Sequence, residues 1–469
     1  MYKLYIAIAI LLILGIIEFK KYRHILAATV LYPIMWILSF AGIIIKGKEY
    51  YEITWVMPCI VVLGYILFIL GFGLMYKRQA SNKSEEKNIT PQNNMVVVGD
   101  QLLGLNIVTI VAVAIFVYTL IHLVKLIDFD NILSSLYKIK WMIDAGEKPF
   151  PYLVVVARYF FRCAIWYMSL VYFSIPKGSS YKDKDGRNIK TIVLIRLGIV
   201  SAMAFVVMFT DISRNDILMT LLPVLFIILI TKRLTNIKTI LFSGATFMAF
   251  IVLFVAFTYF RSGALELFKE KGVESGEDSV YHYLTSSTVA IDQLYRNGTI
   301  KLFTIEGEGG RYTLSLPAAI SDMALGTELK PEVLQEWTNI GPASHTNVYT
   351  YYHWMGMDFG LIYAALFQIL YGMLYGFLYG RIKKSGYIET LWYAILMYPL
   401  LMMFFEDQYL AIGQTWLIIG AFIYFIQFVC RRTKMQPSIK DKAIGGGLVN
   451  CSLEPDTHES RPFYNLIPH

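Results

Sequence analysis

The chain has 469 residues, of which 56% are hydrophobic, 15% aromatic and only 16% charged. Its apolar residues come in runs of about 20 rather than in periodic stripes, and runs of that length are what a bilayer-spanning helix requires. The composition therefore excludes an ordinary soluble domain and indicates a polytopic membrane protein. The net charge of +8 does not indicate a nucleic-acid partner, because the basic residues lie mainly in loops between the apolar runs.

Eleven apolar runs predict transmembrane segments. These are expected to be helices, because unpaired backbone groups are too unfavourable in lipid and no run alternates with period two like a barrel strand. The predicted fold is an all-α polytopic membrane protein with about 11 transmembrane helices, within a range of 10 to 12. The predicted spans are 2–17, 25–45, 53–75, 101–127, 152–175, 190–209, 217–231, 238–260, 357–380, 388–405 and 409–430.

Lysine and arginine gather in every second loop, for example over residues 177–190. Cytoplasmic loops carry this excess of basic residues, so the N-terminus is predicted outside and the C-terminus inside.

Four regions are predicted along the chain. Residues 1–260 hold the first eight helices, 261–356 form a large outward-facing loop, 357–430 hold the last three helices, and 431–469 form a cytoplasmic tail that is expected to be disordered. The large loop contains several aromatic residues, and we expect it to form a folded cap.

Residues 131–148 predict an amphipathic helix before the fifth span. Ile132, Leu136, Ile139 and Ile143 recur at helical spacing. Such a helix fits the surface of the outer leaflet, and an ordinary loop helix explains the same pattern.

The fifth span carries two arginines, Arg158 and Arg162. An arginine at the centre of a bilayer costs roughly 2.5 to 3.5 kcal/mol, so it needs a cavity, a partner or a ligand. Their spacing of four places both side chains on one helical face, in the outer half of the span. Snorkelling towards the headgroups is the alternative, and it suits Arg158 better than the deeper Arg162.

A third arginine, Arg214, lies in the segment "TDISRND" just before a short predicted span, 217–231. Fifteen helical residues cover roughly 22 Å of a hydrocarbon core about 30 Å thick, so this segment is expected to lie below the membrane surface. Arg214 would then be a buried cation in an outward-facing cavity. A structural clamp between Arg214 and the neighbouring Asp211 or Asp216 is the alternative.

Arg261 follows the eighth span in "YFRSG", where anchoring at the membrane interface is the ordinary explanation. Together with Arg158, Arg162 and Arg214 it places four guanidinium groups on one predicted side of the membrane, and guanidinium groups bind phosphate well.

The stretch "SHTNVYTYYHWMGMDFG", residues 344–360, places many polar and aromatic residues before the ninth span. On a helix, His345, Tyr349 and His353 would share one face. An aromatic belt at the membrane surface explains the tyrosines and Trp354. It does not explain the two histidines, Asn347 and Asp358.

The large late loop, "SRND" before a short span, and "TNVYTYYHWMGMDFG" leading into the next span resemble the bacterial oligosaccharide repeat-unit polymerases, the Wzy-type O-antigen and capsule polymerases. The resemblance covers most of the chain as architecture, and as motif chiefly residues 346–360. It implies a GT-C-like glycosyltransferase in the bacterial cytoplasmic membrane with an outward-facing active site. It also implies polymerisation of oligosaccharide repeat units carried on undecaprenyl diphosphate, without a cofactor, a nucleotide sugar or a metal ion.

Arginines near the outer surface suit this chemistry, because a lipid diphosphate leaves well when its charge is neutralised. The arginines expected to bind the diphosphate are Arg214, Arg261, Arg158, Arg162 and, in the large loop, Arg311.

The acceptor hydroxyl needs a base and the glycan needs a binding surface. The candidates for the base are His345, Asp216 and Asp358, with Glu406 and Asp407 in the last outward turn as further candidates. The residues expected to bind the glycan by stacking or hydrogen bonds are Asn347, Tyr349, Tyr352, His353 and Trp354.

The sequence leaves two alternative functions open. A glycan ligase that uses the same lipid carrier needs the same arginines and base, so the sequence separates it poorly from a polymerase. A flippase or transporter of lipid-linked sugars predicts charges spread through the bilayer, whereas here they gather at one end. The expected partners are lipid-linked oligosaccharides and membrane lipids, together with a chain-length regulator and a flippase of the same pathway.

Overall fold

The protein is a multi-pass, all-α membrane protein. The computed structural model describes residues 1–81, 102–144, 147, 149–175, 187–209, 214–232, 237–239, 241, 244–245, 276–304, 310–314, 316–318, 320–321, 337–383 and 386–432. Within these ranges, nine helices are long and apolar enough to cross a membrane.

Thirteen α-helices lie in the described ranges. They are α1 (Tyr2–Tyr22), α2 (Ala28–Ile45), α3 (Val56–Ser81), α4 (Leu102–Val124), α5 (Ile132–Asp144), α6 (Tyr152–Ser174), α7 (Ile189–Phe209), α8 (Arg214–Lys232), α9 (Gly276–Arg296), α10 (Tyr352–Phe359), α11 (Leu361–Lys383), α12 (Tyr387–Met402) and α13 (Gly413–Arg432). A 3-10 turn covers Phe129–Asn131, and a small antiparallel hairpin pairs β1 (Thr338–Asn339) with β2 (His345–Thr346).

The predicted spans largely coincide with helices. Nine of the eleven correspond to the apolar helices of membrane-spanning length, and α12 is a shorter apolar helix of 16 residues. The predicted span 238–260 lies mostly outside the described residues. The helix predicted over 131–148 is confirmed as α5, which covers Ile132–Asp144. Its buried Ile139 packs against Phe150, which precedes α6, and against Val154 in the first turn of α6.

The predicted bounds of the span after "SRND", residues 217–231, are too narrow. Helix α8 begins at Arg214 and has 19 residues, so it covers about 28 Å. The polar residues Asn215 and Asp216 lie in its first turn. The helix can include these polar residues because the Asp216 carboxylate forms ion pairs with two arginines of α6.

The expectation of one helical face for His345, Tyr349 and His353 is also wrong. The helix that follows the motif begins only at Tyr352, and His345 lies in β2. The carbonyl oxygen of Ser344 accepts hydrogen bonds from the amides of Ile340 and Gly341, so hairpin pairing replaces helical pairing in this part of the motif.

Glycines bring α3 and α11 into backbone contact. A Cβ atom at Gly71 would clash with the backbone of α11 at Ile369, and one at Gly372 or Gly376 would clash with the backbone of α3. Small residues four apart permit this close approach between membrane helices. The pair α3–α11 therefore forms a rigid element directly behind α10.

Helix α9 packs its hydroxyl-bearing face against the other helices. Thr288 Oγ1 lies 2.9 Å from Ser39 Oγ of α2, and Ser287 Oγ donates a hydrogen bond of 2.6 Å to the carbonyl oxygen of Phe404. Thr54 donates both its amide and its hydroxyl to the buried Asp292 carboxylate. These contacts fix α9 across the ends of α2 and α3.

One end of the bundle collects the residues singled out by the sequence. Helices α6, α8, α11 and α13 begin there and α12 ends there. We call it the motif end. The segment 403–412, which joins α12 to α13, is called the joining turn.

Candidate functional site

Two arginines of α6 converge on one carboxylate of α8. Arg158 Nη1 lies 3.1 Å from Asp216 Oδ2, and Arg162 Nη2 lies 2.5 Å from Asp216 Oδ1. The spacing of one helical turn puts both guanidinium groups on the face that packs against the first turn of α8. We call these three residues the arginine cluster.

The arginine cluster is largely buried. The side chain of Arg162 is only 1% exposed. Its Nη1 contacts the sulfur of Met219 at 3.2 Å, and its guanidinium lies 5.1 Å from the ring centre of Tyr159. Its Nε donates no hydrogen bond to any described residue. A buried guanidinium with an unused donor favours a further anion.

A chain of polar contacts leads from the arginine cluster to the joining turn. The Tyr398 hydroxyl lies 2.5 Å from Asn215 Oδ1 and 3.1 Å from Gln408 Oε1. Gln408 Nε2 donates a hydrogen bond of 2.6 Å to Glu406 Oε2. Because a hydroxyl has one proton, Tyr398 donates to one amide oxygen at a time. We call Asn215, Tyr398, Gln408 and Glu406 the polar relay.

Asp407 shapes the joining turn. Its Oδ1 accepts hydrogen bonds from the amides of Tyr409 at 2.8 Å and Leu410 at 3.3 Å, and its Oδ2 accepts one from Ala411 at 3.4 Å. Burial raises the pKa of this carboxyl to about 6, although the three amides favour the charged form. Asp407 therefore holds the turn that presents Glu406 and Gln408.

The joining turn also contacts the sequence motif. The Tyr351 amide donates a hydrogen bond of 2.9 Å to the carbonyl oxygen of Met403, and the ring of Tyr351 lies edge-on to Tyr409 with ring centres 6.5 Å apart. The arginine cluster and the motif are thus attached to the same short segment.

Three rings of the motif form a continuous column with Tyr312. Tyr349 stacks on His353 with ring centres 4.1 Å apart, His353 contacts Trp354 at 4.2 Å, and Trp354 stacks on Tyr312 at 5.2 Å. All but Tyr312 are buried. Burial lowers the pKa of His353 to about 3, so its imidazole is neutral at physiological pH.

Asp358 connects the motif to the segment 310–314. Its Oδ2 accepts a hydrogen bond of 2.6 Å from the amide of Thr313, and its Oδ1 lies 3.4 Å from the amide nitrogen of Tyr312. The carboxylate is buried, and its hydrogen bond holds the segment 310–314 against α10. Arg311, beside these amides, is half-buried.

Other predicted residues of the motif have different surroundings. His345 is exposed on β2, with its ring edge-on to Trp337 at 4.9 Å. Asn347 is half-buried. Tyr352 is fully buried next to Trp36, with ring centres 5.7 Å apart, and its hydroxyl lies 3.5 Å from the carbonyl oxygen of Ile60.

The predicted diphosphate arginines are only partly described. Arg158 and Arg162 come together in the arginine cluster. Arg214 opens α8, so its backbone begins the same helix as Asp216, and its side chain lies outside the described residues. Arg261 lies outside the described residues altogether.

Sequence reasoning missed three members of the polar relay, namely Asn215, Tyr398 and Gln408. The available signal was weak: Asn215 stands between Arg214 and Asp216, and Gln408 closes "EDQ" between two apolar runs. Tyr398 lies inside an apolar run, so the sequence alone indicates a core residue. Its hydrogen-bond partners, Asn215 and Gln408, are evident only from the structure.

Among the described residues, no group of three or more His, Cys, Asp or Glu side chains is placed to hold a metal ion. In comparisons with known proteins, no family model, no curated protein and no solved structure matches the chain.

Proposed function

We propose that this protein is a glycosyltransferase that joins oligosaccharide repeat units carried on undecaprenyl diphosphate. The growing glycan is transferred from its lipid diphosphate to a hydroxyl of the acceptor sugar. The observation that carries the proposal is the arginine cluster, in which two guanidinium groups share one carboxylate at the end of the membrane-spanning helices.

The cluster suits a lipid diphosphate in both charge and depth. The unused Nε donor of the buried Arg162 favours a second anion beside Asp216. A diphosphate on a membrane lipid sits at the level where membrane helices end, while its chain remains among the apolar side chains. Guanidinium groups that neutralise the departing diphosphate lower the barrier to transfer.

The motif supplies aromatic surface next to this cluster, through the joining turn. Asn347 of the motif and Tyr312, which stacks on Trp354, are half-buried and can contact a sugar, whereas the rings of Tyr349, His353 and Trp354 are buried. Under this proposal, the motif end faces outward from the bacterial cytoplasmic membrane, where a flippase delivers substrate and a chain-length regulator limits the product.

The proposal predicts that the α6 arginines set the affinity for lipid diphosphate. We expect Arg162→Gln and Arg158→Gln to weaken binding of undecaprenyl diphosphate about 10- to 100-fold, because each removes a charge-assisted hydrogen bond worth about 1.5 to 3 kcal/mol. Binding is measured on protein reconstituted in lipid nanodiscs.

A matched control is Arg381→Gln at the far end of α11, where Arg381 pairs with Glu389 at 3.7 Å. It should leave binding unchanged. Equal affinities for the wild type and both α6 variants would contradict the proposal. Transport of the lipid-linked glycan across vesicles without any chain extension would favour a flippase instead.

A further inference from the structure

We propose that Tyr398 of α12 is a positioning residue for the proposed diphosphate site. Its hydroxyl fixes the first turn of α8, and that turn carries the carboxylate on which the two arginines of α6 converge. The inference rests on the proposed function and deepens it, because it names the group that sets the geometry of the diphosphate-binding guanidinium groups without itself contacting the ligand.

Tyr398 is enclosed near the end of α12. Its side chain is only 1% exposed, so a sugar or a lipid diphosphate does not reach it. The next residue, Pro399, has no amide proton and cannot donate a helical hydrogen bond, and α12 ends at Met402. Side-chain contacts of Tyr398 therefore contribute more to the position of this helix end than they would in the middle of an uninterrupted helix.

The hydroxyl of Tyr398 bridges two segments of the chain. It lies 2.5 Å from Asn215 Oδ1 in the first turn of α8 and 3.1 Å from Gln408 Oε1 in the joining turn. A hydroxyl has one proton to donate, and the shorter contact marks its acceptor, so we assign the proton to the hydrogen bond with Asn215. One buried side chain thus attaches α12 to the beginning of α8.

The joining turn supports this hydroxyl from the other side. The backbone oxygen of Gln408 accepts a hydrogen bond of 2.9 Å from Trp416 Nε1 in the first turn of α13. The neighbouring Asp407 accepts hydrogen bonds from backbone amides of the same turn. Gln408 therefore belongs to a turn that is itself held in place, and its contact with Tyr398 limits the movement of the tyrosine ring.

The first turn of α8 depends on contacts of this kind. The first amides of a helix have no acceptor within the helix, so this turn is fixed mainly from outside. Asn215 and Asp216 are neighbours there, so the contact that fixes Asn215 also limits where the Asp216 carboxylate can lie. That carboxylate pairs with Arg158 Nη1 at 3.1 Å and with Arg162 Nη2 at 2.5 Å. The series of contacts thus runs from Tyr398 to both guanidinium groups.

The position of this turn matters for an anionic ligand. The Tyr398 hydroxyl lies close enough to Asp216 and Arg162 to interact electrostatically with both. The Asp216 carboxylate orients the buried guanidinium of Arg162, and a guanidinium binds phosphate well only where its planar donors match the phosphate oxygens. A shift of the first turn of α8 would therefore weaken diphosphate binding without removing any group that touches the ligand.

The test is binding of undecaprenyl diphosphate to the full chain in lipid nanodiscs. Tyr398→Phe removes the hydroxyl and keeps the ring, so we expect the affinity to fall about three- to tenfold. Asn215→Ala removes the same contact from the other side. It should have a similar effect, and it keeps the inference testable if one variant misfolds. The double variant should bind within about twofold of either single variant, because both substitutions remove one hydrogen bond.

The matched control is Tyr393→Phe on the same helix. The buried hydroxyl of Tyr393 donates a hydrogen bond of 2.7 Å to the carbonyl oxygen of Leu26 and accepts one of 3.0 Å from the amide of Ala28. Its loss should lower the melting temperature but leave the affinity within about twofold of the wild type. This control separates a general loss of stability from a change at the proposed diphosphate site.

A second comparison separates positioning from a purely structural role. In a chain that already carries Arg162→Gln, Tyr398→Phe should weaken binding further by less than about twofold, because the guanidinium that it positions is absent. An effect of Tyr398→Phe on the wild type below about threefold, or an equal loss with and without Arg162, would overturn the assignment. Normal affinity of Arg162→Gln alone would instead overturn the proposed function, and this inference with it.

Discussion

At the residue scale, the environment of each polar side chain decides its role more than its residue type does. Asp216, Asp358 and Asp407 are all buried or half-buried acids at the motif end, but the first faces guanidinium groups and the other two face backbone amides. Backbone amides hold a loop in place, whereas the buried guanidinium of Arg162 keeps an Nε donor that no described residue uses.

Asp407 predicts a measurable pH dependence of stability. The folded protein raises its pKa to about 6 from an ordinary value near 4, so between these pH values the folded state binds more protons than the unfolded state. Stability should therefore fall as pH rises from about 4 to about 6, and the full loss should persist above about 6.

The variant Asp407→Asn tests this dependence, since an amide oxygen can still accept from the amides of Tyr409 and Leu410 but does not ionise. In thermal unfolding in detergent, the variant should gain stability relative to the wild type as pH rises from 4 to 7. A difference in melting temperature that is constant over this range would contradict the prediction.

At the element scale, the apolar runs were sufficient to predict most of the helices, because bilayer thickness imposes a length that composition reveals. The errors came where polar residues bond within the structure. The sequence places Asp216 in a loop, because its partners on α6 are more than 50 residues away in sequence. It does not reveal the hairpin before α10, because the pairing between residues 340 and 344 has no signature in the spacing of residues.

The arginines of α6 could be predicted as a pair, since their spacing and their cost in a membrane are local properties. The polar relay could not, because Asn215, Tyr398 and Gln408 become neighbours only when α8, α12 and the joining turn pack together.

The contact between α3 and α11 predicts that substitution of two glycines of α3 has very different effects on the melting temperature. Gly71→Leu should lower the melting temperature strongly or prevent folding, because its side chain would displace the backbone of α11 at Ile369. A Cβ atom at Gly73, two residues away, has no atom of the described residues within 4 Å, so Gly73→Leu should behave like the wild type. Thermal unfolding of both variants in the same detergent checks this, and similar melting temperatures would contradict the described packing.

At the scale of the whole molecule, apolar helices position a polar site at one end of the bundle. The glycine contacts between α3 and α11 support α10 and the aromatic column, while α6, α8 and α12 present the arginine cluster and the polar relay. The joining turn contacts both groups. A reaction between two membrane-anchored substrates needs such an arrangement, because the leaving lipid diphosphate and the incoming sugar must be held side by side.

The most direct measurement is chain extension by the purified protein in nanodiscs, supplied only with lipid-linked glycans extracted from source cells that lack this chain. The account predicts that the wild type and Arg381→Gln produce a ladder of longer lipid-linked glycans, and that Arg162→Gln reduces the ladder at least about tenfold. A wild-type protein that is folded and forms no longer glycans, or an Arg162→Gln variant that forms the normal ladder, would contradict it.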